Sequence, residues 1–186
     1  MVALVILAVT VAAAGLTGCG GDSGKARQYV QQGDKTIVVI DTKSKTLGND
    51  MEKLFNGLYD KISKGETPDV AAFKSSAGEI KAMAHEMIRL AGTAKAELKK
   101  VDALKKVPYY KKYADLKIKI IDANVAGLNQ LKRFLDESTA MLTAKPFDPT
   151  SFQSFVTEFA DSIAKEGDQA GKLQEQANSL KKKQNL

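Results

Sequence analysis

The chain has 186 residues, room for one domain with a sizeable core, and its single cysteine excludes an internal disulfide, so packing must hold the fold together. With no tryptophan, seven phenylalanines and five tyrosines, that core has to be built mainly from Leu, Ile, Val, Ala and Met. The net charge is +6, and since residues 1–18 carry no charged side chain, all of it belongs to the segment from residue 19 onward.

Residues 2–18 are apolar or small throughout, the length of a signal-peptide hydrophobic region and a little short of a comfortable membrane span. They end in Leu16-Thr17-Gly18-Cys19, with leucine three positions before the cysteine and small residues between. This stretch resembles the lipobox of bacterial lipoproteins, although the chain opens MVAL without the Lys or Arg that usually begins such signals. The resemblance covers only the segment up to Gly20. It implies that residues 1–18 are a lipoprotein signal peptide, that the Cys19 thiol receives a diacylglycerol group, and that cleavage leaves Cys19 as an N-terminus bearing fatty acids such as palmitate. The address implied is the extracytoplasmic side of a cell membrane or outer membrane. An uncleaved anchor helix is the alternative, and either arrangement tethers the chain. Residues 19–25, rich in Gly, Asp and Ser, read as a flexible tether, leaving 26–186 for the body.

From Val30 the positions Val30, Gly33, Ile37, Ile40, Ser44, Leu47, Met51, Leu54 and Leu58 alternate spacings of three and four, as do Val70, Phe73, Ala77, Ile80, Ala84, Met87, Ala91, Ala94, Leu98 and Val101. That alternation keeps one narrow apolar seam against partner helices, as in coiled-coil-like packing. A third run passes through Tyr113, Leu116, Ile120, Ala123, Leu128, Leu131, Phe134, Leu135 and Leu142. The fourth passes through Phe152, Phe155, Phe159, Ile163, Ala170, Leu173, Ala177 and Leu180. Lys64-Gly65-Glu66 closes the first run, Thr67-Pro68-Asp69 opens the second, Pro108 marks the next junction, and Asp148-Pro149-Thr150 opens the last. The predicted spans are 24–64, 68–106, 108–143 and 149–182. Similar lengths and short connections predict an all-α, antiparallel up-down-up-down four-helix bundle of long helices, preceded by a signal-peptide helix. Thr36–Ile40, TIVVI, has strand composition but lies in register with the seam, so it reads as helix.

Converging reactive groups are scarce. His85 is the only histidine, Ala82 stands where a Glu-x-x-His pair needs its acid, and Cys-x-x-Cys-His is absent, so di-iron, haem and zinc chemistry all fail on numbers; no cofactor and no metal are expected. Asp136-Glu137 and Glu158 with Asp161 read as solvated helix faces, and the chain is not expected to be an enzyme.

The most informative stretch is Lys95–Lys119, with nine lysines against three acids, a surplus equal to the charge of the whole chain. In an up-down-up-down bundle its loop returns to the end from which the first helix starts, and Lys181-Lys182-Lys183 finishes there too. Lys99, Lys100, Lys105, Lys106, Lys111 and Lys112 would then join Lys181, Lys182 and Lys183 in a membrane-facing patch drawn to anionic headgroups, with Tyr109, Tyr110 and Tyr113 as interfacial aromatics. Lysines at helix C-termini also satisfy the helix dipole, but Lys111 and Lys112 open a helix, where positive charge is unfavourable. Nucleic acid is an unlikely partner for an exported protein. The expected function is a lipid-anchored, non-enzymatic interaction or spacer module of the cell envelope, presenting its distal loops, with Phe147, to a protein partner. The alternative is a carrier or sensor for a small apolar ligand, which a cavity above about 300 Å³ between the helices would mark.

Overall fold

Residues 21–186 are described by the computed structural model, and they form four helices: α1 (Gly21–Ser63), α2 (Val70–Lys99), α3 (Pro108–Thr143) and α4 (Pro149–Gln184), with a short 3-10 turn, Lys100–Ala103, after α2. Cys19 and the signal segment lie outside the described residues. The helix ends have chemical causes. Asp69 caps α2 by accepting from the Ala72 amide at 3.0 Å, and Asp148 caps α4 by accepting from the Thr150 and Ser151 amides at 3.0 and 3.2 Å. Proline occupies the first turn of both α3 and α4, where its missing N–H costs nothing. Gly65, at φ 72°, turns the chain out of α1, and Asn185, at φ 50°, does the same for α4.

Two boundaries differ from expectation. The tether expected over 19–25 is helical from Gly21: Asp22 sits on the positive end of the helix dipole, and Ala26 extends the seam one turn earlier into the core. Helix α2 stops at Lys99 instead of running to 106. Proline at 108 pushes Val107 out of helical geometry, and the chain reverses through Lys106 at φ 56°, a left-handed conformation costing a non-glycine residue about 1 kcal/mol. Val101 and Val107, both buried, hold this reversal down.

The helices run antiparallel in the expected up-down-up-down order. Lys43 meets Glu86 and Phe55 meets Phe73 across α1 and α2, so one number rises as the other falls; Lys81–Asp136 with Lys95–Asp122, and Lys117–Gln174 with Phe134–Phe159, repeat the pattern for the next two pairs. Between α1 and α2, a Cβ added to Gly33 would stand 2.8 Å from Leu98 Cγ, so any larger residue there would have to push the Leu98 side chain aside. All the seam residues of α2 except Val70 are buried, as are those of α1 except Ser44 and Leu54, whose place is taken by Phe55. The TIVVI stretch is helical, with Ile37 and Ile40 inside and Val38 and Val39 outside.

α4 is the exception in packing. α1 lies along α2, α2 along α3 and α3 along α4, but α1 and α4 make no comparable backbone contact. Phe155, Phe159, Ile163, Leu173 and Leu180 are accordingly only half-buried. No helix among the described residues is long and apolar enough to cross a membrane.

Candidate functional site

The end of the bundle where α1 begins is built by four segments. Asp22 Oδ2 accepts a hydrogen bond from the Lys105 amide at 2.7 Å, which pins the α2–α3 reversal to the first turn of α1. Arg27 Nε donates to Tyr110 Oη at 3.3 Å, and Lys100 Nζ lies 5.5 Å above the Tyr29 ring. Lys111 Nζ donates to the Asp102 carbonyl at 2.7 Å, satisfying the end of the 3-10 turn and explaining how a lysine is accommodated in the first turn of α3. Lys99, Lys100, Lys105, Lys106 and Lys112 are exposed, while Lys111 is half-buried.

The C-terminal lysines share this half of the molecule but not its tip. Lys181 Nζ reaches Asp34 at 3.1 Å, and Asp34 stands twelve residues, about 18 Å, along α1 from Asp22. Lys181 is therefore turned inward instead of belonging to the outward patch, while Lys182 and Lys183 are exposed. A separation of this size exceeds the Debye length of about 8 Å at physiological salt, so Lys105 at the tip is screened from Lys181, while Lys100, over Tyr29, stands between them.

The tyrosines also divide. Tyr109 is 51% exposed and points away from the bundle, but Tyr110 is 9% and Tyr113 1% exposed. The interfacial role expected for the last two is thus corrected: they continue the apolar stripe of α3, three residues apart and in line with Leu116 and Ile120, and the core claims them.

Above the basic end the structure assembles a polar group that sequence reading had not singled out. Tyr113 Oη donates to Asp34, 3.0 and 3.2 Å from its two oxygens, and Lys117 Nζ donates to Gln174 Oε1 at 3.1 Å. Asp34, Asp41, Lys117 and Gln174 are all buried, and Lys117 is 0% exposed. Burial pushes the Lys117 ammonium below its ordinary value of 10.5; the charges of Asp34 and Asp41 oppose that shift and Lys181 adds to it. Burial, and then the Asp34 charge and hydrogen bond, hold the Tyr113 hydroxyl above its ordinary 10.0. A signal for the group was present. Lys117 is four residues after Tyr113 and three before Ile120, and Gln174 is four after Ala170 and three before Ala177, so both stand in the apolar stripes. Asp34 and Asp41 are each one residue past a seam position and seven apart, on the flank that α4 covers. The Tyr113–Asp34 and Lys117–Gln174 bonds lie inside the bundle and form an internal polar network, of which Asp41 also borders a cavity.

Toward the other end, Phe134 is stacked between Phe55 at 5.3 Å and Phe159 at 3.8 Å, with Phe155 at 5.1 Å and Phe73 edge-on to Phe55 at 5.8 Å. Phe147, expected to face a partner from the third loop, is half-buried and packs on the edge of the core 5.9 Å from Phe152. His85 is exposed, 3.5 Å from Lys132, and Asp136 pairs with Lys81.

Two cavities lie along the open α1–α4 side. One of about 370 Å³ is lined by Met51, Phe55, Tyr59, Phe134, Val156 and Phe159, and one of about 110 Å³ by Ile40, Asp41, Leu47, Leu131, Ile163 and Glu166 among others. A third of about 390 Å³ opens between α1 and α2 near Leu58 and Phe73. No group of three or more potential metal-ligating side chains occurs among the described residues. No protein-family model, curated protein or solved structure matches the chain.

Proposed function

We propose that this protein is a lipid-anchored, extracytoplasmic helical rod that stands on a membrane by its α2–α3 end and acts as a non-enzymatic interaction or spacer module. The observation that carries the reading is the 2.7 Å bond from Lys105 to Asp22, which fastens the basic reversal to the start of α1. Only Gly20 separates Cys19 from α1, a reach of at most about 7 Å even fully extended. An acyl group on Cys19 would therefore hold Lys105 and its neighbour Lys106 close to the headgroups, where each lysine contributes about 1 kcal/mol on an anionic surface, with Lys100 and Lys112 behind them on the same end. Tyr109, exposed beside them, has the amphipathic ring that collects at such interfaces.

Metabolic labelling with a fatty-acid analogue tests the anchor: label is expected on the wild-type chain and not on Cys19→Ala. Vesicle sedimentation tests the orientation. Reversing Lys105, Lys106 and Lys112 to glutamate is expected to weaken binding to anionic vesicles at low salt by at least tenfold, with Lys53→Glu and Lys64→Glu at the far end without effect. Equal loss from both ends would overturn the orientation, and label retained in Cys19→Ala would overturn the anchor.

A second reading is favoured by the 370 Å³ cavity between α1 and α4, which is of ligand-pocket size. On it, the rod also carries a small apolar molecule on its open side.

A further inference from the structure

We propose that the groove between α1 and α4 takes an elongated organic cation, its apolar body along Leu47, Met51, Phe134 and Phe159 and its positive group beside Glu166. This rests on the carrier reading and names the ligand class.

The groove exists because α4 packs on α3 and not on α1. Its two cavities share Phe159 as a wall, and together they run from Ile40 to Tyr59 of α1, nineteen residues or about 28 Å. That length suits a rod-shaped molecule better than a compact one.

The sign of the ligand follows from the lining. The carboxylates bordering the two cavities are Asp41, Glu52 and Glu166, and no lysine, arginine or histidine borders either, in a chain whose net charge is +6. The α1–α2 cavity makes the contrast, since Lys53 and Lys61 stand there among the acids. Asp41 shares its charge with the buried Lys117, so the surplus in the groove falls on Glu52, exposed on its rim, and on the half-buried Glu166. One oxygen of Glu166 accepts from Gln130 Nε2. The other is buried without a hydrogen-bond partner, in a niche where a Cβ on Gly127 would stand 3.4 Å from it. A carboxylate oxygen out of water and without a donor is costly, and a ligand cation lodged beside it removes that cost.

The test uses three probes with one apolar rod and different heads: diphenylhexatriene, its trimethylammonium derivative and its carboxylate derivative. The full chain carries Gln153→Trp, a reporter on the groove rim of a protein with no tryptophan of its own, and energy transfer from it reads occupancy. The trimethylammonium probe is expected to bind at least tenfold more tightly than the carboxylate probe. Glu166→Gln, nearly isosteric, is expected to remove at least fivefold of that preference while leaving the neutral probe unchanged, which also certifies the fold. Equal affinity for cationic and neutral probes, tightest binding of the carboxylate, or no effect of Glu166→Gln overturns the cation assignment and leaves the carrier reading standing. Absence of transfer to all three probes overturns both.

Discussion

The two halves of the rod are held by opposite means. Away from the basic end, all four helices contribute phenylalanine to one layer, Phe55, Phe73, Phe134, Phe155 and Phe159, and the contact is broad and tolerant of small shifts. Nearer the basic end, α1, α3 and α4 meet through Asp34, Asp41, Tyr113, Lys117, Gln174 and Lys181, and α2 contributes only small or aliphatic residues. Hydrogen-bonded ions have direction, and a one-residue slip of α4 would separate Lys181 from Asp34 and Gln174 from Lys117 together. The comparison teaches that the helix with the least buried surface is the one whose register is fixed by polar bonds. We read the ionic layer as setting the position of α4, a use for which buried polar groups have precedent, and the aromatic layer as supplying most of the cohesion.

The largest expected effect lies in the aromatic layer. Phe134→Ala removes the ring on which three others stack and opens a cavity in the core, and should cost about 4 kcal/mol, read from urea unfolding. Lys117→Met, in the ionic layer, leaves buried carboxylates without a compensating charge and should cost about 3 kcal/mol. Adding Asp41→Leu to that variant should recover most of the loss, because an apolar pair of similar volume replaces an ion pair that had to be desolvated. If the double variant were as unstable as the single, the layer would not be a set of mutually compensating charges. No comparable rescue is expected for Phe134→Ala, which has no partner whose removal relieves it.

Alkaline pH probes the halves differently: in the ionic layer Tyr113 and Lys117 are shifted in opposite directions, whereas beside the aromatic layer burial raises the half-buried Tyr59. Tyr113 holds its proton to higher pH in the native state than in the unfolded chain, so above its ordinary value of 10.0 the native state binds more protons and stability falls as pH rises. Lys117 acts with the opposite sign: its native value is depressed, the unfolded chain keeps the proton longer, and stability rises as pH climbs toward 10.5. Tyr113→Phe should therefore flatten the fall above pH 10 in thermal-melt profiles, and Lys117→Met the rise before it. Profiles unchanged by either substitution would mean that neither group is held as described.

Much of this architecture is legible in the sequence, and the reasons it is not all legible are physical. Helices α3 and α4 begin where their prolines stand, because proline at the first helical turn carries its own start signal. The end of α2 is misread because Lys99–Lys106 has helix-forming composition; the proline at 108 breaks the helix only at Val107, and burial of Val101 and Val107 bends the chain away before it. The burial of Lys117 is not legible either: nothing in its own stripe accounts for a lysine inside until the opposing helix is known to offer Gln174, with the acids Asp34 and Asp41 nearby. Tyr113 is misread as interfacial, because a tyrosine beside lysines suits an interface as well as a core. The groove is legible only in part. Phe134 and Phe159, two of its walls, stand in the apolar stripes of their helices, but that α4 would lean on α3 and leave α1 is a packing outcome that no single stripe encodes.

The smallest effect sharpens the comparison between inside and outside ion pairs. Lys81–Asp136 is 2.5 Å long and Lys181–Asp34 is 3.1 Å, so length alone would rank the first as stronger. The Asp136 side chain is 64% exposed and the Asp34 side chain 5%, and that reverses the ranking. An exposed pair sits in high dielectric and spends side-chain entropy on its geometry, so a double-mutant cycle on Lys81 and Asp136 should give a coupling of about 0.5 kcal/mol. In 1 M salt, where the Debye length is about 3 Å, that coupling should vanish. Lys181→Met should cost about 2 kcal/mol, since it strips a charged hydrogen bond from a buried carboxylate, and salt should change that cost little. If the two couplings proved equal and equally salt-sensitive, Asp34 would be reached by water, and the ionic layer would be a surface feature that does not set the position of α4.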